Sequence, residues 1–396
     1  MTDRSSPLNA RDLNRLRVIE TLYRHPGTSR AEITRGTGLA RQTVSTIIDD
    51  LIRAGLVEEH YPAEDAGPRT TGRPPILLSL VPDAAFAVGL DFGHQHIRIA
   101  VCDLSGQPIV DHWSAAEVDH APTESLDLAD ELVRQALTRA GIDRDRLLGV
   151  GMGLAAPINK ATGELEANGI LPGWHGIRPA DEMQARLGVP VQLENDANAG
   201  ALGEKVYGAG RDVEDLIYVR LSAGVGAGMI LAGQPYQGSI GVAGEIGHIL
   251  AHPGGAICRC GNRGCLETIA SPVAVAALLE RSLGRPVSTH TLLELVAADH
   301  RGARRAVADA GEAVGVVLSA LVNILNPELL LVGGELAGAG DVLLEPIRAA
   351  IARHAVAPAS AMLRVTVGTL GPRAEVLGAA AMILAKSPHA LTQRVH

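Results

Sequence analysis

Three of the chain's four cysteines, Cys258, Cys260 and Cys265, fall within eight residues, and His248 stands ten positions before the first of them. Thiolates and an imidazole on short, glycine-rich turns are the donors that tetrahedral zinc takes. Four such donors leave no open coordination position, so His248, Cys258, Cys260 and Cys265 are expected to hold a structural Zn2+. Two carboxylates flank the set, Glu245 three residues before His248 and Glu267 two after Cys265. A loop pinned by metal would present both as hydrogen-bond acceptors to a neighbouring cleft.

The string Gly244-Glu-Ile-Gly-His248, followed by Cys-x-Cys-x4-Cys-x-Glu ending at Glu267, resembles the signature of the ROK family of repressors and sugar kinases. The likeness runs from about residue 85 to 385. It implies that His248 touches both zinc and sugar, and that Glu245 and Glu267 bind sugar hydroxyls. Glu194-Asn195-Asp196-Ala-Asn198 resembles the motif that carries the kinases' catalytic aspartate, which adds Asn195 and Asp196 to the sugar set. Asn168, in Asn-Gly-Ile-Leu-Pro-Gly-Trp174, matches another sugar contact. In a kinase Asp196 would take the proton from the attacking hydroxyl. Without a phosphate site it would only accept a hydrogen bond from that hydroxyl.

The phosphate side departs from the family's kinase pattern. Phosphate turns use small residues so that backbone amides can approach the anion. Kinases read Asp-x-Gly-Gly-Thr at the first turn, where this chain has Asp91-Phe92-Gly93-His94-Gln95. At the second, Gly-Thr-Gly-x-Gly becomes Ser222-Ala223-Gly224-Val225-Gly226. Both threonines are gone, and a His94 ring would fill space that a phosphate needs. Gly333-Gly334, the adenosine-side pair, is retained. No catalytic residue is expected; the alternative is an ATP-dependent sugar kinase carrying a DNA-binding appendage.

The appendage is read from residues 11–60. Leu13, Leu16, Ile19, Leu22 and Tyr23 recur at helical spacing, and Pro26-Gly27 breaks that helix. Ser29 with Glu32 forms a capping-box pattern for a short second helix. A third helix from Arg41 to Ala54 turns Val44, Ile47, Ile48 and Leu51 inward. Leu56–Glu59 follows as a strand, and 76–80 as its partner. Helix, short helix, turn, helix and strand make a winged helix-turn-helix. Arg41, Gln42, Thr43, Ser45 and Thr46 supply donors suited to base edges and phosphates in a major groove. Between the wing strands, Gly72-Arg73-Pro74 would carry Arg73 into a minor groove on a stiff extended backbone.

From residue 85 the pattern changes to α/β. Two similar strand–turn–strand units, at 85–103 and 216–231, lie about 130 residues apart, the mark of an internal duplication with a cleft between lobes. The resemblance names that arrangement as the actin-like fold of sugar kinases. The fold class is therefore α/β: a winged helix-turn-helix over residues 1–81, then a two-lobed actin-like sensor domain over 82–396, with the zinc loop at 245–267.

Composition fits that division. The chain has 396 residues, 46% hydrophobic and only 2% aromatic, so its cores must be aliphatic. Its net charge of −9 is unevenly spread: residues 1–73 hold 11 Arg against 10 Asp and Glu, and the acidic excess lies beyond them. That excludes coating of nucleic acid by the whole surface and leaves local contact by the amino-terminal module. Clustered reduced cysteines, with no signal peptide or membrane-inserting segment in the sequence, give a cytoplasmic protein as the expectation. The expected partners are operator DNA, a small-molecule sugar effector and further copies of the chain in a homodimer or homotetramer. A protein partner as main effector is the remaining reading.

Overall fold

The computed structural model describes residues 9–61, 76–165 and 169–395. Arg73 and Asn168 lie outside the described residues.

Asn9 accepts from the amides of Arg11 and Asp12 and starts α1 (Ala10–Arg24). After the short β1 (Thr28–Ser29), Ser29 and Glu32 cap α2 (Arg30–Thr37) reciprocally, and Gly38 closes that helix at φ 70°. In α3 (Arg41–Arg53), Val44, Ile47, Ile48 and Leu51 are buried, the face expected from their spacing. Strands β2 (Val57–His60) and β3 (Leu77–Leu80) pair antiparallel, Val57 opposite Leu80, with β1 on the other edge of β3. This is a winged helix-turn-helix head.

One expectation about the head is corrected. Leu13 does not face the core of α1 but is 47% exposed, while Asp12 and Arg15 are buried beside Val18, Ile19 and Leu22. The reason is a neighbour that periodicity cannot show. Helix α1 lies against the chain's last helix, where the Arg15 guanidinium donates to the Thr392 carbonyl at 3.3 Å.

The first lobe contains β4 (Phe86–Phe92), β5 (His96–Asp103), β6 (Pro108–Ala115), α4 (Pro122–Ala140) and β7 (Leu147–Leu154). A small hairpin, β8 (Ile158–Asn159) and β9 (Glu164–Leu165), precedes α5 (Pro179–Leu187) and β10 (Val191–Asn195). Then α6 (Asp196–Tyr207) leads to the second lobe, with β11 (Leu216–Leu221), β12 (Val225–Leu231) and β13 (Gln234–Tyr236). Next come α7 (Glu267–Ala270), α8 (Pro272–Leu283), α9 (Thr289–Ala297) and α10 (Arg301–Leu325). Strand β14 (Leu329–Gly333), α11 (Asp341–His354), α12 (Ala357–Met362) and β15 (Arg364–Val367) complete that lobe, before α13 (Ala374–Leu384) and α14 (Ser387–Arg394).

The duplication is explicit in the strand orders, β10-β7-β4-β5-β6 and β13-β12-β11-β14-β15. In each sheet a central strand pairs antiparallel with its hairpin partner and parallel with a later strand: β4 with β5 and β7, β11 with β12 and β14. Both central strands are fully buried, so they read as apolar runs rather than alternating ones, interrupted only by Asp91 and Arg220. Helix α10 is long and apolar enough to cross a membrane by length and composition. Here Val307, Val314, Leu318 and Val322 are buried in the second lobe's core.

Helices α6 and α13 cross between the two sheets. A Cβ on Gly378 would stand 1.7 Å from the Ala199 carbonyl oxygen, and one on Gly203 would stand 2.2 Å from that of Ala374. Only glycine permits so close a crossing. Residues Val376, Leu377, Ala380, Ile383 and Leu384 of α13 then join Val18, Ile19, Leu22 and Ile48 of the head in one core.

Candidate functional site

The zinc-type loop is short, glycine-rich and held by two isolated bridges, Leu250 with Cys265 and Ile257 with Arg263. Gly264 takes φ 73°, and a Cβ there would stand 1.8 Å from the His252 carbonyl oxygen, so the chain can turn back only through glycine. That turn brings the donor atoms of His248, Cys258, Cys260 and Cys265 within 4.8 Å of one another. The Cys258 sulfur lies 3.6 Å from His248 Nδ1, and the Cys260 and Cys265 sulfurs are 3.7 Å apart. Tetrahedral zinc, with bonds of about 2.0–2.3 Å, spaces its donors by about 3.5–3.8 Å, so the four residues fit that metal. Burial and the adjoining thiols hold Cys265 up to about 12. Three touching thiols ionise together only if a cation neutralises them.

The His248 nitrogen that faces the cysteines is Nδ1; its Nε2 points away, 3.8 Å from a Glu245 oxygen. The ring thus stands between the cysteine cluster and the cleft. Burial, and then the charges of Asp196 and Glu267, push Glu245 up to about 7. Glu267, at the first turn of α7, accepts the Val225 amide at 3.1 Å.

Across the cleft, Asn195 ends β10 and caps α6, its Oδ1 accepting from the amides of Ala197 and Asn198. Its Nδ2 donates to the Ala156 carbonyl at 3.1 Å, so most of this amide serves the backbone. Asp196 follows as the first residue of α6, 6% exposed. Asn195, Asp196, Glu245, His248 and Glu267 all line one cavity of about 40 Å3 between the lobes, and a larger space of about 540 Å3 opens beyond it.

Two arginines in this cavity were not singled out in the sequence. Arg259, between two of the cysteines, makes a fork-shaped pair with Glu267, Nε to Oε1 at 2.7 Å and Nη2 to Oε2 at 2.9 Å. Both oxygens of a proposed sugar acceptor are therefore engaged. Arg220, in β11, pairs with Asp196 at 2.9 Å and with Glu375 at 3.0 Å. Its position inside an apolar strand was the signal: a lone arginine in Leu-Ile-Tyr-Val-Arg-Leu needs buried carboxylates. Burial raises Asp196, while the Arg220 charge opposes that rise.

The phosphate side looks different. His94 is turned inward, its Nδ1 2.7 Å from Asp119 Oδ1, and it lines the same interlobe cavity. His96 Nε2 lies 3.2 Å from Asp91 Oδ2. Burial pulls His96 down, but the Asp91 carboxylate outweighs it and the ring ends above its ordinary value. Together these rings crowd the first turn, where a Cβ on Gly93 would meet the His96 ring at 2.2 Å.

In the head, Arg41, Gln42 and Thr46 are exposed and Thr43 and Ser45 half-buried along the start of α3. Arg41 makes no ion pair among the described residues, whereas Arg30 is held by Asp49 and Glu59. On this face the Thr46 hydroxyl donates to the Gln42 carbonyl at 3.0 Å, and Arg41 keeps its cation unpaired among the described residues.

Fold and site together define a sugar-kinase-type cleft joined to a winged helix-turn-helix head. The profile described as ROK family matches residues 87–386, and that described as MarR family matches residues 11–66. The chain belongs to the ROK family, and it is a DNA-binding transcriptional regulator of that family. It is 30% identical to the xylose repressor of Caldicellulosiruptor bescii over 94% of this chain and 96% of that one. A solved ROK family transcriptional regulator, a homologue of the Escherichia coli MLC protein, matches with TM-score 0.80 and 25% identity over 97% of this chain and 98% of its own. A ROK family glucokinase from Streptomyces griseus, solved with glucose and AMPPNP, matches with TM-score 0.65 and 27% identity over 75% of this chain and 99% of its own.

Proposed function

We propose that this regulator is a repressor whose winged head holds operator DNA and whose cleft binds a neutral monosaccharide or a derivative that releases it. The observation that carries the reading is the convergence of Asp196, Glu245, His248 and Glu267 on one cavity between two lobes. Carboxylates and an imidazole accept from pairs of hydroxyls without requiring a charged ligand. A Zn2+ held by His248, Cys258, Cys260 and Cys265 would supply rigidity. His248 would present Nε2, and Glu245 and Glu267 their carboxylates, from the pinned loop, with Asp196 and Asn195 facing them; Asn168 would add a further sugar contact.

On the DNA side, Arg41, Gln42, Thr43, Ser45 and Thr46 would read the major groove, and Arg73 would enter the minor groove. The division into residues 1–81 and 82–396 follows that split of labour. Two such heads in a homodimer or homotetramer would address half-sites about one helical turn apart. The protein would act in the cytoplasm, without ATP chemistry, because His94 and His96 crowd the first phosphate turn.

Two measurements test the reading together. Melting shifts across a panel of pentoses and hexoses should single out one sugar. Arg41→Ala/Gln42→Ala should abolish specific operator binding, since each base contact contributes about 1–3 kcal/mol. A panel with no shift, or a double variant with unchanged operator affinity, would contradict it.

A further inference from the structure

Arg220 occupies a position with no role in a phosphate turn or a metal loop, yet its charge is 7% exposed. Its cross-strand partners are Gly226 on β12 and Gly333 on β14, and the space a Cβ on Gly333 would take is filled by Tyr218, whose hydroxyl oxygen would stand 2.0 Å away. Tyr218, two residues earlier on the same face, donates to Glu375 Oε1 at 3.0 Å, and Arg220 Nε donates to that same oxygen at 3.0 Å. Through Nη1 the guanidinium reaches Asp196 Oδ2 at 2.9 Å. Asp196 and Glu375 stand in the first turns of α6 and α13, the two helices that cross between the lobes.

We propose that Arg220 is the positioning residue that couples the cleft to the DNA head, by clamping the first turns of α6 and α13 from the opposite lobe. Asp196 faces the candidate sugar cavity on one side of the clamp. On the other side, α13 carries Val376, Leu377 and Ala380 into the core that contains Val18, Ile19 and Ile48 of the head. Helix α14 continues the connection through Thr392 to Arg15. A hydroxyl that donates to Asp196 draws on the same carboxylate that Arg220 holds, because Oδ1 already accepts the Ala197 amide at 2.8 Å. The balance between Asp196 and Glu375 shifts, and the crossing of α6 and α13 shifts with it. The identity of the signal rests on the sugar-sensor reading above; the clamp itself does not.

Lysine separates charge from bridging, since an ammonium lacks the planar fork that reaches two carboxylates at once. The test compares wild type, Arg220→Lys, Glu375→Gln and the double variant, each as the full chain. Deuterium exchange of the sugar-free proteins is read at 374–394, and operator affinity is read with and without saturating D-xylose or D-glucose. In Arg220→Lys, exchange in α13 and α14 should quicken at least about tenfold. The ratio of operator affinities without and with sugar should fall toward one. Glu375→Gln, whose side chain lies outside the cavity, should reproduce both effects while sugar still binds by calorimetry, and the double variant should add nothing, as expected for one shared link.

Arg220→Lys with wild-type exchange, or additive effects of the two substitutions, overturns the clamp. If wild type ignores both sugars, the sugar reading fails for them, while the exchange data still decide the clamp. A global loss of protection across every core strand, equal in Arg220→Lys and Glu375→Gln, would reduce Arg220 to a general stability element and also overturn it.

Discussion

The two sides of the interlobe cleft differ. On the candidate sugar side, acceptors from both lobes converge on one cavity, and a four-donor loop positions three of them. On the phosphate side, side chains stand where backbone amides would meet an anion: His94 is paired to Asp119 and His96 to Asp91. On the proposed function, one fold would retain recognition where transfer chemistry is lost. Recognition needs a rigid set of acceptors; transfer needs open amide-lined turns, which a single imidazole can close.

The sharpest way to break this comparison is to remove the metal loop. Cys258→Ser or Cys260→Ser should lose about one equivalent of zinc per chain and all sugar response, with a folded DNA head. Structural zinc contributes on the order of 10 kcal/mol to such loops, so the effect should be the largest of the set. Metal analysis with calorimetry checks it, and full sugar binding in a metal-free variant would separate the two sites.

A smaller effect is expected at Arg259. Its fork on Glu267 competes with any hydroxyl for the same oxygens, so Arg259→Ala should tighten sugar binding by about tenfold, near the net value of a hydrogen bond to a charged group. Weaker binding would mean that Arg259 itself contacts the sugar.

The phosphate side should be nearly silent. Millimolar Mg-ATP should shift Tm by under about 1 °C, and no sugar-dependent ADP should form. Turnover above an Asp196→Ala control would restore the kinase alternative.

The mildest effect is one of pH. Glu245 titrates near 7 in the folded cleft, above the ordinary glutamate range, and only its ionised form accepts without donating. Sugar affinity should therefore hold above pH 7 and fall as pH drops through it, by at most about tenfold per unit. Glu245→Gln should flatten that slope; a slope unchanged in the variant would assign it to another group.

What the sequence made legible was local or repeated. The Cys-x-Cys-x4-Cys spacing, the Ser29–Glu32 capping box and the paired hairpins each carry their own geometry within a few residues. What escaped depends on partners far along the chain. Arg220 makes sense only beside Glu375, 155 positions away. Leu13 seemed to belong to the α1 core because helical spacing does not tell which face α14 covers. The final helix, α14, lies beyond the family likeness, which ran to about residue 385, although Ser387-Pro388 begins it. Arg259 was hidden in plain view, at the unspecified position of Cys-x-Cys, where only the folded loop fixes its direction.

The most direct test of a sugar-released repressor is operator affinity with and without saturating sugar, in wild type and in Asp196→Ala. The expected result is a release of about a hundredfold in wild type, equivalent to roughly 2.7 kcal/mol of preference between states, with operator binding kept and the response lost in the variant. A variant that responds like wild type, or a wild type whose operator affinity no sugar changes, would contradict the account.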